Sequence, residues 1–479
     1  MKKAISILLV LVLLVSLSAC DTRNEKTDRD DSDETVVVDS RPSIDAEDKE
    51  GEEDENKQST LLKPREFNKR ATIEKTVLVD EYDVKITATK LTYNNYEAVL
   101  HLAIENNSDK DLKFITHSWG YSCNSINGYM ITDGYDGYLN CDVSAGKKAS
   151  DSVSFSYETL MMYGIFEIAD IEIGFNISDD DYTDIYTGPR VVRTTVAEQY
   201  DYKIPYYREN IASKEAQDEY DYSVPYFSDE AIYDESDLVI ASQTVVENKE
   251  GERTLLLEVV NNSKATVRAS TTNIDINGLR VCSSTWSSDA IIPGKTAIVD
   301  IDLSSVFEPE YWDVYGITEI GDIELEVSFK DTDNNVVANP ADISVLIPGA
   351  DATFSKKGIE IYNKNGICLI VKGIYASMSS YSDDMFIYMV AENTSGKTLS
   401  LQNVYNSLSV NDYMVDYSFY GVTIEEGTSA MMEIRLWGDG LEDIDITEPA
   451  EITAVEFSLS IRDKDYREID EAKITFANE

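Results

Sequence analysis

Three pairs of acids, each two residues apart, recur along the chain: Asp179 and Asp181, Asp331 and Asp333, Asp463 and Asp465. The second copy reads Asp331-Thr332-Asp333-Asn334-Asn335 and sets Asp331, Asp333 and Asn335 at alternate positions, as the oxygen ligands of a calcium loop are set. It lacks the glycine such loops place sixth and the bidentate Glu that closes them. Asp and Asn also favour plain hairpin turns, so calcium and turn chemistry both remain readings of this motif. Acid–base and nucleophilic enzymes usually need a histidine or a tuned carboxylate pair. The chain holds two histidines, His101 and His117, and His101 falls at an outward position of an alternating strand. No Gly-x-Ser-x-Gly elbow and no phosphate-binding glycine loop is present, and no His/Cys cluster suits zinc. The sequence asks for no cofactor and points away from an enzyme.

Tyrosine is the second chemical signal, with 30 residues. Its ring is a flat apolar face with a hydrogen-bonding tip, which suits sugars and peptides, but it is also a good strand former. The densest run lies at 196–227, where Tyr200-Asp201-Tyr202-Lys203-Ile204-Pro205-Tyr206-Tyr207 is echoed by Tyr220-Asp221-Tyr222-Ser223-Val224-Pro225-Tyr226-Phe227. Tyr202, Tyr206, Tyr222 and Tyr226 are the candidate ligand-binding residues, for an envelope or host glycan or protein. The competing account has the same rings packed on the flanking domains, fixing their angle.

The N-terminus carries a third. Lys2 and Lys3, an apolar run from Ile5 to Leu17, and then Leu17-Ser18-Ala19-Cys20 make up a secretory segment too short to span a bilayer comfortably. The last four residues resemble a bacterial lipobox, which implies diacylation of Cys20 and a partner in the membrane through that N-terminal lipid. Two acyl chains suffice for stable anchoring. The expected location is the extracytoplasmic face of the cell membrane. Residues 21–70 are rich in Asp, Glu, Ser, Thr and Lys, too poor in apolar side chains to offset their ordering entropy, and read as an extended acidic tether. Of the other cysteines, Cys123 and Cys141 flank one turn and could bridge, while Cys282 and Cys368 read as buried thiols. A formal net charge of -49 and a pI near 4.2 exclude nucleic acid, whose phosphates need Lys and Arg.

Positioning any of these groups falls to a pattern that occurs three times. One strand alternates as Leu100-Leu102-Ile104, Leu255-Leu257-Val259 and Ile387-Met389-Ala391. Period-2 alternation marks a sheet with one buried face. A preceding strand holds Val84, Ile86, Ala88 and Leu91, answered by Val239, Ala241 and Val245 and by Ile367, Leu369, Val371 and Ile374. Asn106-Asn107-Ser108, Asn261-Asn262-Ser263 and Asn393-Thr394-Ser395 follow the alternating strand and read as turn chemistry. Asn127-Gly128, Asn277-Gly278 and Asn411-Asp412 are hairpin signals. Gly146, Gly294 and Gly427 mark a further turn, with Gly128 and Gly146 expected at positive φ. Ile171-Glu172-Ile173, Ile323-Glu324-Leu325 and Val455-Glu456-Phe457 fall in the closing strands.

Seven or eight short strands in roughly 120 residues imply a two-sheet sandwich. The chain is therefore expected to be all-β: three tandem immunoglobulin-like domains at 71–195, 228–348 and 352–479, with the 196–227 insert between the first two. The Asn-x-Ser, Asn-Gly-Tyr and Ala-Gly-Lys turns and the Ile-x-Asp-Ile-Glu strand resemble those of Gram-positive, clostridia-type lipoproteins with repeated immunoglobulin-like domains of unknown function. That resemblance implies a cell-surface location and supplies no catalytic residue. The expected role is non-enzymatic binding or adhesion at the envelope. The alternatives are a spacer without a ligand and, further off, a solute-binding component or an envelope enzyme.

Overall fold

The computed structural model describes residues 65–116, 124–131, 136–181, 183–282, 286–306, 309–377 and 382–478. Glu66–Glu479 is one compact unit. Cys20 and nearly all of the acidic segment lie outside the described residues, as do His117 and Cys123.

The first repeat runs β1 (Thr76–Glu81), β2 (Val84–Tyr93), β3 (Glu97–Asn106), β4 (Leu112–Thr116), β5 (Asn124–Ile126), β6 (Tyr129–Met130), β7 (Leu139–Val143), β8 (Lys148–Ser156), helix α1 (Tyr157–Met162), β9 (Asp170–Asp179) and β10 (Asp184–Arg193). One sheet has the order β1-β2-β3-β8, and the facing sheet holds β10-β9-β4-β7 with the β5–β6 hairpin beside β9. Consecutive strands cross between the sheets from β3 to β4, from β7 to β8 and from β8 to β9, which is immunoglobulin-like wiring. Helix α2 (Tyr206–Ile211), helix α3 (Lys214–Tyr220) and β11 (Tyr222–Ser228) follow.

The second repeat holds β12 (Tyr233–Glu235), β13 (Leu238–Asn248), β14 (Arg253–Asn261), β15 (Val267–Ile276), β16 (Leu279–Cys282), β17 (Trp286–Ser287), β18 (Lys295–Asp302), α4 (Leu303–Val306), α5 (Pro309–Tyr315), β19 (Asp322–Asp331) and β20 (Val336–Leu346). The third holds β21 (Ile359–Lys364), β22 (Ile367–Ala376), β23 (Met385–Asn393), β24 (Leu399–Asn403), β25 (Ser409–Val410), β26 (Tyr413–Met414), β27 (Tyr417–Phe419), β28 (Val422–Ile424), β29 (Ser429–Leu436), α6 (Gly438–Glu442), β30 (Ala454–Asp463) and β31 (Glu468–Ala477). The protein is thus all-β, three sandwiches in series, and the few helices among the described residues are short.

The alternating residues fill the cores: Leu100, Leu102, Ile104, Leu255, Leu257, Val259, Ile387, Met389 and Ala391 are all buried. In β13 the first core residues are Leu238 and Ile240 rather than Val239, because the turn before it ends at Asp237 and the buried face starts at the next residue. Ala241 is buried as well, and after the irregularity at Ile240/Ser242 Val245 lies in the core as expected. The slip from Ala88 to Leu91 in β2 is a β-bulge between Ala88 and Lys90, repeated at Ile240/Ser242 and Val371/Gly373.

The Asn-x-Ser motif is an internal brace. Asn106, Asn261 and Asn393 are fully buried. Each amide nitrogen donates to two carbonyls at 2.8 Å, Lys110 O and Val143 O in the first repeat, Ala265 O and Ile291 O in the second, Lys397 O and Ile424 O in the third. Each Oδ1 accepts from the Ser two residues on. A side chain with both ends satisfied inside the protein ties three segments together without an unpaired polar group. Gly128 (φ 90°) and Gly146 (φ 66°) adopt the left-handed conformation expected of them.

Candidate functional site: the junctions between repeats

The tyrosine run is not a free-standing surface. Pro205 leads into α2, Ser213 caps α3 by accepting from the Ala216 N–H, and β11 pairs antiparallel with β13. Strand β11 takes Tyr222 and Tyr226 into the sheet of the second repeat, which favours the competing account of rings packed on the flanking domains over a ligand-binding surface. The physical reason is that Tyr222-Ser-Val-Pro-Tyr226 is extended and lies along an unpaired edge of β13, where a register irregularity between Ser223 and Tyr226 accommodates Pro225.

Tyr207 is buried in the core of the first repeat beside Tyr129 and Tyr163, with ring centroids 6.4 and 6.3 Å away. Asn210 donates to the carbonyls of Met161 and Met162 at 2.8 and 2.9 Å, which fastens α2 to the end of α1. The Tyr222 hydroxyl donates to Ile211 O at 2.9 Å. Tyr226 packs on the core of the second repeat, and Tyr222 and Phe227 pack on that of the first. Tyr202 and Tyr206 flank Tyr200, at 4.9 and 5.2 Å between centroids, and the Tyr202 hydroxyl hydrogen-bonds Asp170. Loss of solvent raises the hydroxyl pKa of Tyr200, Tyr202 and Tyr207, keeping all three protonated. Of the four candidate ring residues only Tyr202 is half exposed, at 50%.

What the insert packs around is a strand-to-strand splice. The β5–β6 hairpin of the first repeat pairs β6 in parallel with β18 of the second, joining Tyr129 to Thr296, and the Thr296 N–H donates to Gly128 O at 3.0 Å. One sheet therefore runs from the first sandwich into the second. Met130 enters the core of the second repeat, while Val246, Leu256 and Ile298 press on the core of the first. Two ion pairs flank the splice, Lys295–Glu172 and Arg208–Glu258, and Ser242 Oγ donates to Glu258 at 2.8 Å.

The second junction repeats the device. Strand β16 pairs in parallel with β29, Leu279 with Ser429 and Arg280 with Ala430. Arg280 and Asp275 form a buried ion pair, each side chain 7% exposed, with Glu425 3.8 Å from the guanidinium. The buried Tyr315 donates its hydroxyl to Met389 O at 3.2 Å, and Tyr388 and Val390 of the third repeat complete the core of the second. Asn127, Asn277 and Asn411 hold the hairpins in place: each amide nitrogen donates to a carbonyl (Glu167, Glu319, Glu451) and each Oδ1 accepts backbone N–H groups that open the closing strand.

The remaining candidates resolve differently. Asp331 Oδ1 accepts the N–H groups of Asp333 and Asn335 at 2.9 and 2.8 Å, and Oδ2 accepts from the Asn335 amide at 3.0 Å. The three residues are together, but as a turn. Asp179 and Asp463 make the same backbone bonds, so the motif recurs because the hairpin does. Among the described residues no group of three or more His, Cys, Asp or Glu side chains is arranged to hold a metal ion. Cys141 is a buried free thiol, pushed up to about 11 by desolvation. Its candidate partner Cys123 lies outside the described residues. Cys368 is a half-buried free thiol beside Glu360. His101 accepts or donates one bond, with Thr92 Oγ1 at 2.8 Å, and burial lowers its pKa. No helix among the described residues is long and apolar enough to cross a membrane.

Sequence reasoning missed the residues that make the junctions: Met130, Tyr163, Arg208, Glu258, Arg280 and Tyr315. Arg280 carried a signal, a charge directly after the hairpin where the other repeats have Met130 and Met414.

No protein-family model matches this chain, and no curated protein sequence does. Among solved structures it is similar to one of a 1.5-MDa bacterial ice-binding adhesin, concerned with host cell surface retention (11% identity, 80% of this chain and 90% of that chain, TM-score 0.13). It is also similar to Bacteroides uniformis β-glucuronidase (10% identity, 53% of this chain and 26% of that chain, TM-score 0.15). A third is an exo-chitosanase of Amycolatopsis orientalis (6% identity, 84% and 79%, TM-score 0.15). At these scores the likenesses add nothing to the all-β architecture seen directly.

Proposed function

We propose that this is a non-enzymatic, lipid-anchored protein of the bacterial envelope whose three-sandwich body is a stiff spacer. The observation that carries the reading is the splice, present at both junctions and each time reinforced by buried side chains from both repeats. A hinge needs few buried contacts and solvated linkers; these junctions have continuous sheets instead. The tyrosine insert supports the same reading, since most of its rings are spent on packing. In this reading Cys20 holds the membrane and residues 21–70 lift the body from it.

Spin labels on exposed positions of the first and third repeats, for instance Tyr96 and Tyr466, test the stiffness. A single narrow distance distribution is expected; a broad one overturns the spacer. The anchor is tested by fractionating the protein and its Cys20→Ala variant in detergent. Retention of the variant in the membrane phase overturns lipidation at that residue.

A second reading, recognition of a glycan or protein, rests on one feature: Tyr202 is half exposed within the Tyr200–Tyr202–Tyr206 cluster. Tyr202→Ser should abolish binding to peptidoglycan or host glycans if that cluster is the site; unchanged binding removes this reading.

A further inference from the structure

Each splice joins a donor hairpin of one repeat to an acceptor edge of the next. The donors are β6, with Tyr129 9% and Met130 1% exposed, and β16, with Leu279 fully buried. The third repeat has the same hairpin, β25–β26, held by the same asparagine, Asn411. Its donor residues are bare: Tyr413 is 59% and Met414 61% exposed. The sheet that holds it ends there, whereas the corresponding sheets of the first and second repeats continue into the next sandwich.

The first repeat shows the converse. Its acceptor strand is β8, which corresponds to β18 and β29 by its place after Gly146, as theirs after Gly294 and Gly427. Among the described residues strand β8 pairs only with β3. Its far half is closed by the Gly137 N–H donating to Ser154 O at 2.7 Å, much as β27 closes the far half of β29. Its near half, Lys148 to Ser150, is the stretch that takes the donor hairpin in the other two repeats, and among the described residues no further strand pairs there.

We infer that the hairpin of the third repeat docks onto β8 of a second copy of this chain, Tyr413 beside Lys148, so that the protein associates head to tail. The side chains agree. At the first junction Lys295, directly after the turn glycine, pairs with Glu172 on the closing strand beside the donor. The lysine after Gly146 is Lys147, which is exposed, and the glutamate in the place of Glu172 is Glu456, also exposed. The ion pair of the internal junction is thus available again between two copies, with Met414 placed to enter as Met130 does. Donor and acceptor are different surfaces, so the contact is heterologous and propagates as a row of molecules rather than closing as a two-fold dimer. It lacks the connecting chain that raises the effective concentration at the internal junctions, and the acidic charge of the copies opposes it, so it is weaker than they are.

The 66–479 body, which contains all three cores, is the material for the test. Sedimentation velocity across rising concentration at about physiological salt should show stepwise self-association. Met414→Asp should abolish it. Lys147→Glu or Glu456→Lys alone should weaken it by about fivefold or more, and the double variant should restore it. All three side chains are exposed, so the variants leave the fold intact, which circular dichroism and melting check. A body that stays monomeric throughout overturns the inference. So does association that ignores these substitutions, or a double variant no better than the singles.

Discussion

The two junctions share a backbone device and differ in everything that surrounds it. At the first, one bridge between Tyr129 and Thr296 is buttressed by two short helices, a tyrosine cluster and two ion pairs to neighbouring strands. At the second, the splice is a residue longer, no insert is present, and the connecting segment has no regular structure and is held by Ser355 N–H on Tyr315 O at 2.7 Å and by Lys372 donating to the carbonyls of Ser355 and Lys357. The charge that settles the second junction is within its own hairpin, Arg280 on Asp275. The splice is therefore a property of the repeat, and the tyrosine insert is one of two ways to brace it.

The largest effect should come from Arg280→Ala, which leaves Asp275 buried without its partner. Breaking a buried pair from one side costs about 3–5 kcal/mol. Denaturant melts should show that loss. The corresponding charge at the first junction is shared between Lys295 and Glu172, which are less buried, so Lys295→Ala should cost clearly less. Equal costs would mean that the two junctions do not divide their stability as described.

Gly294→Val and Gly146→Val come next. Both glycines have positive φ with open space where a Cβ would go, so the penalty is backbone strain rather than collision. That strain is about 1–3 kcal/mol at either site. Gly294 lies at a junction and Gly146 at an unpaired edge. A larger cost at Gly294 would show that the turn also positions the splice; no cost at either would refute the turn assignment. Tyr315→Phe is smaller, removing one neutral hydrogen bond to Met389 O while keeping the ring, about 0.5–1.5 kcal/mol in thermal melts.

The sequence made the repeat legible because its signals are local, even where the bonds they make are not. Asn106-x-Ser108, Asn127-Gly128 and Gly146 mark turns within a few residues, although Asn106 and Asn127 bond to Val143 and Glu167, and the alternation of Leu100, Leu102 and Ile104 is direct evidence of a buried face. The splice was not legible. A parallel pairing of one or two residues has no period, and Tyr129 or Leu279 reads as an ordinary strand residue whether it meets solvent or another sandwich. The insert misled for a related reason: helices of six and seven residues show no full amphipathic repeat, so its tyrosines looked unaccounted for. Ser213 three residues before Ala216 was the one cap signal there. In β13 the alternation misplaces only the strand's start: Asp237 at φ 62° ends the turn and makes Leu238, not Val239, the first core residue.

The smallest predicted effect tests the position-by-position match of the two junctions. Glu172 is answered by Lys295, but for Glu324, its counterpart, the residue in the lysine's place is Thr428. Glu324 is exposed on β19, yet partial desolvation and then the neighbouring Asp322 and Asp275 raise its pKa; burial likewise raises those of Asp322 and Asp275. A carboxyl whose pKa is raised on folding contributes stability when protonated, fully below the unfolded value near 4, and loses it as pH rises through the folded value. Acidification from neutral pH should therefore first stabilise the second junction. The turn aspartates act oppositely. Lys110 holds Asp179 down at about 2, the Asn335 side chain lowers Asp331 and the Arg467 N–H lowers Asp463, so their support is present at neutral pH and fails as pH falls below about 4. Melting temperature should peak in the mildly acidic range. Thr428→Lys should supply the missing partner and flatten the neutral-side slope, leaving the acid side as it was, because the turn aspartates are untouched. A slope unchanged by that lysine would mean that Glu324 does not stand to the second junction as Glu172 stands to the first.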